Sequence, residues 1–344
     1  MRKKMSRSSK FSIFGGVILV VAIIALLARK RKAAKKLVIV GNGFDLYHGI
    51  PSSYLCFRDY VRKNDLDVYE ALEKYLHLDG DNEWNQFEKN MANLDADDLL
   101  DEMRIYLGDP EKASSYCDYQ YEVGKVTERL GEKMQQLFLS WVLQIDVKHH
   151  SDSQRLLLPK DACYLNFNYT NSLERLYGIP AKNILYIHGR AVDENSSIVL
   201  GHGWENSEDA TNPRTLTYED IKDGGYGFEN DWQYQEAKQS IENYFGNNYK
   251  NAKQIIRMNE HYFKSLANTI EIVVMGHSMS GVDLEYFKAV AENIDVKKVK
   301  WVISYYRQND ILHCTETLKG IGIDLNLLEF KKLEDIFSIQ LDLF

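Results

Sequence analysis

The chain has 344 residues, 44% of them hydrophobic, which is enough to bury the core of one large domain or two small ones and excludes a disordered chain. The formal net charge is −8, but residues 1–36 carry eleven Lys and Arg and no acidic residue, so the rest of the chain carries −19. Such an acidic body excludes broad nucleic-acid binding, which needs basic patches to neutralise phosphates.

An apolar segment without any charge, FSIFGGVILVVAIIALLA, runs from Phe11 to Ala28 between two basic flanks. Its length predicts a single transmembrane helix at the short end of what spans a bilayer. A cleaved signal peptide is the alternative, but the apolar run is long for one and no A-x-A cleavage site precedes the Arg-Lys-Arg-Lys that follows. We expect residues 1–36 to form an N-terminal membrane anchor whose basic flanks contact anionic lipids.

The four cysteines are spaced too widely for a CxxC pair or a disulfide framework; they are Cys56, Cys117, Cys163 and Cys314. This pattern predicts free thiols in a reducing compartment and argues against a zinc ribbon. Together with the dense basic cluster after the apolar segment, it favours a cytoplasmic position for the body, residues 37–344.

The body begins with a strand pattern and continues with helical ones. Lys36 to Val40, KLVIV, is a short apolar run that ends at a glycine, which predicts a buried parallel strand. A helix is expected from Ser53, and apolar residues at three- and four-residue spacing then continue to about residue 150. The sequence therefore predicts a large helical insertion, about 60–150, on a sheet domain.

Strand patterns then return and alternate with helical ones. The predicted strands are Ala162–Phe167, Asn183–Ile187, Ser197–Leu200, Ile270–Met275, Val299–Ser304 and Leu325–Phe330. The predicted helices are Ser172–Tyr177, Gln233–Tyr244, Ala252–Leu266, Gly281–Ile294 and Ile311–Ile321, and a long loop, Gly203–Asp231, opens the loop and helical region of about 203–268. The alternation predicts an α/β fold with a doubly wound parallel sheet.

Small and polar residues follow five of the predicted strands, and ligands of open parallel sheets bind at the carboxyl ends of strands. The segments are Gly41-Asn42-Gly43-Phe44-Asp45, Phe167-Asn168-Tyr169-Thr170-Asn171, His188-Gly189, Gly201-His202-Gly203 and Gly276-His277-Ser278-Met279. Each alone has a structural alternative: a plain turn for the glycines, helix capping for Asn and Thr, and a packing role for histidine. The set predicts a ligand site whose phosphate lies against backbone N–H groups of the first loop and the positive end of the next helix.

Several motifs occurring in order resemble the AbiH family of bacterial abortive-infection proteins, from about Lys36 to Phe287. These motifs are VIVGNGFDLYHGIPSSY, EWNQFEKNM, FNYTNSLERLYG, YIHGR, IVLGHG and VVMGHSMSGVDLEYF. The resemblance implies antiphage defence in which infection triggers growth arrest, and with the predicted anchor it implies a place at the bacterial inner membrane. It leaves a phage trigger, a partner protein and a homo-oligomer open as partners.

A more distant resemblance, to sirtuins and sirtuin-like NAD-cleaving domains, implies a Rossmann-like fold. Glycines 41, 43 and 49, with the Ile-Pro that follows, keep the spacing of the sirtuin loop G-A-G-x-S-x-x-x-G-I-P. Asn168 matches the essential Asn of the family and His188 its catalytic His, while the segment Gly276-His277-Ser278 matches the late cofactor-binding segment. Thr170 stands where sirtuins carry an acidic residue, Asp45 replaces the loop serine, and the zinc cysteines are absent, so deacylation and a zinc site are not expected.

The sirtuin resemblance implies cleavage of the nicotinamide–ribose bond of NAD⁺, with Asn168 as the positioning amide and His188 as the base. The residues it implies for cofactor binding are Gly41, Asn42, Gly43, Asp45, Thr170, Gly276, His277 and Ser278, with no metal. The function predicted is therefore a membrane-anchored NAD⁺ glycohydrolase of phage defence. The alternative is a non-catalytic sensor that binds a nucleotide or ADP-ribose and signals through its membrane anchor. An NTPase is disfavoured because the chain has no Walker-type G-K-[ST] motif.

Overall fold

The computed structural model of the protein describes residues 36–106, 118–148, 156–203 and 232–337. The predicted membrane segment Phe11–Ala28, Cys117 and nearly all of the predicted loop Gly203–Asp231 lie outside these ranges. Within them, no helix combines the length and the apolar character that crossing a bilayer requires.

Six strands of the described residues form one parallel sheet in the order β3-β2-β1-β4-β5-β6. The strands are β1 Lys36–Val40, β2 Cys163–Asn166, β3 Ile184–Tyr186, β4 Glu271–Met275, β5 Lys300–Ser304 and β6 Leu328–Lys331. Val38 in β1 lies between Tyr164 of β2 and Val273 of β4. The predicted parallel α/β sheet is confirmed, and its order is that of doubly wound dinucleotide-binding folds, whose switch point lies between β1 and β4.

Helices occupy the connections between the strands. They are α1 Asn42–Tyr47, α2 Tyr54–Asn64, α3 Leu66–Tyr75, α4 Asp81–Asn85, α5 Phe87–Asn90, α6 Ala96–Met103, α7 Asp118–Glu128, α8 Met134–Gln144, α9 Ser172–Tyr177, α10 Trp232–Asn247, α11 Ala252–Met258, α12 Glu260–Lys264, α13 Leu284–Glu292 and α14 Gln308–Gly320. The predicted helix start at Ser53 is confirmed, since the Ser53 side chain caps α2 by accepting from the Cys56 N–H. The predicted helix Ala252–Leu266 is divided at Asn259, whose side chain bonds back to the Ile255 carbonyl.

Three apolar clusters hold these elements together. One face of the sheet, with Leu37 and Ile39, packs on residues of α12, α13 and α14. The other face, with Val38 and Val40, packs on α1 and α9. The third cluster lies among the helices that follow β1 and includes α10. Because this helical layer also buries Tyr169, which follows β2, it covers part of the carboxyl edge of the sheet.

The predicted strand Ser197–Leu200 is wrong. These residues have no partner strand in the described sheet; instead, the Val199 N–H donates to the His188 carbonyl and the Val199 carbonyl accepts from the Tyr169 hydroxyl, each at 2.8 Å. Leu200 is drawn into the core of the helical layer, which explains the apolar pattern without a strand. His202 follows as a single parallel bridge to Tyr249.

Candidate functional site

The turns after β1 and β4 pack backbone to backbone at the switch point. The N–H of Gly41 donates to the Met275 carbonyl at 3.0 Å, and the N–H of Gly43 donates to the Gly276 carbonyl at 2.7 Å. A Cβ on Gly41 would lie 2.7 Å from His277 Cα, and one on Gly43 2.8 Å from Gly276 Cα. The glycines thus allow two parts of the chain to approach each other, and the two N–H groups expected to hold a phosphate already donate within the protein.

Asn42 is also engaged within the first loop. Helix α1 begins at Asn42 itself, well before the helix expected at Ser53, and has only six residues. The Asn42 amide nitrogen donates to the Ser52 carbonyl at 3.0 Å, while its oxygen accepts from the Ser52 hydroxyl at 2.5 Å. These bonds close the loop between α1 and α2.

Asn168, Asp45 and Thr170 meet at the ends of β1 and β2. The Asn168 amide donates to the Gly41 carbonyl at 3.2 Å and so links the two strand ends. Asp45 is fully buried, and its two oxygens accept from the hydroxyls of Thr170 at 2.5 Å and Ser172 at 2.6 Å. Asp45 and Thr170 therefore bind each other in this conformation and form a clamp between α1 and the turn before α9.

His188 and His277 reach one buried space from β3 and β4. The Phe167 ring lies near both, with centroid distances of 5.3 Å to His188 and 4.3 Å to His277. The N–H of Met279 donates to Nδ1 of His277 at 2.9 Å, which leaves Nε2 as the protonated nitrogen of the neutral ring. Burial lowers the pKa of His277 to about 4, although Asp283 opposes this shift. Ser278 is exposed beside this buried pair.

A half-buried carboxylate, Asp283, faces both imidazoles. Its Oδ1 lies 3.4 Å from His188 Nε2 and its Oδ2 lies 3.6 Å from His277 Nε2. Oδ1 also lies 3.4 Å from the ammonium of Lys250, which is fully buried and forms a second ion pair with Glu88 of α5. Burial alone would raise the pKa of Asp283, but Lys250 and the two histidines hold it well below its usual range. Asp283 is therefore a carboxylate at neutral pH.

Two pockets border this edge of the sheet. One, of about 170 Å³, lies between the end of the helical layer and the residues Thr170 and Arg190 that follow β2 and β3. The other, of about 160 Å³, lies beside Lys250 and Val282. Both are smaller than the 300–1,000 Å³ of typical ligand pockets. In the described ranges no group of three or more His, Cys, Asp or Glu side chains could hold a metal ion.

The residues of the sheet edge and of the ionisable cluster lie in the part of the chain that matches a known family. A family model described as "Bacteriophage abortive infection AbiH" matches residues 37–305, from β1 to the end of β5. The chain belongs to the AbiH family. A comparison with curated proteins finds no similar sequence. Membership of the family indicates a role in abortive infection by bacteriophage, as the sequence motifs predict.

The sequence motifs indicated the polar segments after the strands but not the charged side chains that lie beside them. No role was assigned to Asp283, Glu88 or Lys250. Two of these lie inside the quoted motifs, Glu88 in EWNQFEKNM and Asp283 in VVMGHSMSGVDLEYF. An acidic residue within each motif was therefore the sequence feature that could have indicated them. Lys250 follows a polar stretch without a motif, and only the fold reveals that it is buried.

The buried carboxyl group of Asp45, which accepts from two hydroxyls, predicts an unusual pH dependence of the free energy of unfolding. Burial raises the pKa of Asp45 from 3.8 to about 6, although the hydroxyls of Ser172 and Thr170 oppose this. Between these values the folded protein keeps a proton that the unfolded chain has released, so the free energy of unfolding falls as pH rises through this window. In Asp45→Asn we expect this fall to be smaller by about 3 kcal/mol, measured by denaturant unfolding from pH 4 to pH 7.

The matched control for this measurement is Asp79→Asn, because Asp79 is exposed. It should keep the pH dependence of the wild type. An unchanged pH dependence in Asp45→Asn would show instead that the Asp45 carboxyl is ionised throughout the window.

Proposed function

We propose that this AbiH-family chain is an abortive-infection effector that hydrolyses NAD⁺ at the carboxyl edge of its sheet. The observation that carries the proposal is the position of Asn168 and His188, which follow the adjacent strands β2 and β3 beside the β1/β4 switch point. In sheets of this strand order, dinucleotides bind across that crevice. The sirtuin-like spacing of the glycine loop, Asn168 and His188 supports NAD⁺ as the dinucleotide.

In the proposed reaction His188 removes a proton from water, and the water oxygen bonds to C1′ of the nicotinamide-bearing ribose. The bond from C1′ to the nicotinamide nitrogen breaks, and its electron pair leaves with nicotinamide, so the products are nicotinamide, ADP-ribose and a proton. The transition state resembles an oxocarbenium ion, as in glycoside hydrolysis. Asn168 would position the water or a ribose hydroxyl, and exposed Ser278 would contact a ribose or phosphate oxygen.

Access to this edge is part of the proposal. Asn168 and His188 are buried, and the glycine N–H groups donate to carbonyls of the chain. The conformation described above is then a resting one, and the edge opens before NAD⁺ binds. A resting form suits an effector whose activity would otherwise stop the growth of uninfected cells.

The test uses the purified full chain with NAD⁺, in extracts of infected and of uninfected cells. We expect nicotinamide release by the wild type in infected extract, and a loss of roughly 100-fold or more in Asn168→Ala and in His188→Ala. The exposed residues Asn64 and His261 provide the controls, and Asn64→Ala and His261→Ala should release nicotinamide like the wild type. No release in either extract, or full turnover by both site variants, would contradict the proposal.

A second candidate is a sensor that binds a nucleotide or ADP-ribose without turnover. Its support is the strand order, since the switch point of such a sheet binds dinucleotides whether or not they are cleaved. This sensor would signal through the predicted anchor, residues 1–36, with the body cytoplasmic at the inner membrane and the basic flanks on anionic lipids. Tight ADP-ribose binding without nicotinamide release, and toxicity that survives His188→Ala but needs residues 1–36, would support it.

A further inference from the structure

Five ionisable side chains, buried or half-buried, lie together where the helical layer meets the sheet edge. They are Glu88, His188, Lys250, His277 and Asp283, and their side-chain exposures range from 0% for Lys250 to 17% for Glu88. Glu88 comes from α5 of the helical layer and the two histidines follow β3 and β4. Burying charges costs free energy unless they are paired, and even paired charges add little stability. Packing alone therefore does not explain this group.

Asp283 is the centre of this group. The Nε2 of His188 is buried, and among the described residues it lies 3.4 Å from Asp283 Oδ1 as an ion-pair neighbour. A carboxylate that faces one ring nitrogen fixes the tautomer and orientation of an imidazole, and stabilises the imidazolium that forms when the ring takes a proton. His277 presents its protonated Nε2 to the other oxygen of the same carboxylate, so both oxygens have a fixed neighbour.

The described charges of this group do not cancel. Glu88 and Asp283 contribute two negative charges and Lys250 one positive charge, so with both histidines neutral the cluster carries a charge of −1. The ammonium of Lys250 therefore compensates only one of the two carboxylates that face it.

Lys250 forms an ion pair with the Asp283 carboxylate and so restrains its position. Its ammonium lies between Asp283 and Glu88, and Glu88 also accepts from the Tyr54 hydroxyl of α2. Burial and the nearby Glu88 raise the pKa of Tyr54 well above its usual value, so its hydroxyl stays protonated and donates. The helical layer thus reaches Asp283 through an unbroken chain of ion pairs.

We propose that Asp283 is the positioning residue of this site, orienting His188 as the base and stabilising its imidazolium, with Lys250 and Glu88 holding Asp283 in place. This inference rests on the proposed function, because it assigns the group that acts through the base named there. Asp283 need not touch the substrate.

The test compares Asp283→Asn with Glu285→Gln in the full chain, since Glu285 is a half-exposed carboxylate two residues further along. We expect Asp283→Asn to lower kcat for nicotinamide release roughly 100-fold with KM within about threefold, and Glu285→Gln to match the wild type. The double variant His188→Ala/Asp283→Asn should be no slower than His188→Ala, because the two residues act as one unit. A purely structural role would instead give losses that multiply.

Two further measurements keep the outcome decisive. If Asp283→Asn does not fold, Asp283→Glu keeps the charge but moves the carboxylate, and a large loss of kcat with an unchanged Tm supports the inference.

Protection of cells against a phage that the wild type blocks gives a readout that does not depend on NAD⁺. If the wild type releases no nicotinamide, yet Asp283→Asn, His188→Ala and the double variant lose protection equally, the pairing stands and the NAD⁺ reaction fails. If the wild type releases nicotinamide and Asp283→Asn stays within threefold of it, the inference is overturned while the proposed function stands.

Discussion

Replacing Lys250 with methionine is expected to lower the free energy of unfolding by about 3–5 kcal/mol at pH 7. Methionine fills most of the volume of lysine but removes the only positive charge beside Glu88 and Asp283 within the described contacts. The two carboxylates would then face each other in a buried space without a cation. Denaturant unfolding of the purified chain measures the loss.

The control for Lys250→Met is Lys264→Met, which removes an exposed ion pair with Glu260 on α12. Surface pairs of this kind contribute about 0–1 kcal/mol, so the control should stay close to the wild type. Adding Glu88→Gln to Lys250→Met should recover part of the loss, because it removes one of the unpaired charges. A loss below about 1 kcal/mol in Lys250→Met would show that water reaches this cluster and compensates the carboxylates.

Gly276→Ala is expected to destabilise the protein by roughly 3 kcal/mol or more, through overpacking added to an unfavourable backbone conformation. Gly276 has a φ of +63°, in the left-handed region, and a Cβ there would lie 2.1 Å from the Phe44 nitrogen and 2.4 Å from the Gly43 carbonyl carbon. Both are backbone atoms, so no change of side-chain rotamer can relieve the clash. The methyl group would separate the turns after β1 and β4, and thermal or denaturant unfolding reports the effect.

Gly246→Ala is the matched control for this substitution. Gly246 lies in α10, and a Cβ there meets nothing within 4 Å. Alanine should therefore stabilise the helix by up to about 1 kcal/mol. Equal stability of Gly276→Ala and Gly246→Ala would contradict the close packing at the switch point.

The strand ends could be predicted from sequence because buried parallel strands leave continuous apolar runs. KLVIV ends at Val40 in the structure as in the prediction, and the helix Ser172–Tyr177 has the predicted bounds. Ser197–Leu200 has a similar apolar pattern but faces the helical layer, and a local pattern does not distinguish these two environments. The sheet order and the membership of α10 in the helical core depend on contacts between distant residues.

The candidate site was predictable only in part, for a related physical reason. Asn168 and His188 follow strands, so the sheet geometry alone places them at one edge. Lys250 and Glu88 reach that edge from segments that the sequence shows only as polar or helical, and their pairing depends on burial. Asp45 was expected to bind the cofactor, but in the described conformation its carboxylate accepts from two hydroxyls of the chain.

The most direct measurement is a time course of NAD⁺, nicotinamide and ADP-ribose, followed by chromatography with the purified full chain in infected-cell extract. The proposed reaction predicts that nicotinamide and ADP-ribose appear in equal amounts as NAD⁺ disappears, and that His188→Ala abolishes their appearance. NAD⁺ that stays intact in the presence of a folded wild-type chain that protects cells from phage would contradict NAD⁺ hydrolysis at this site.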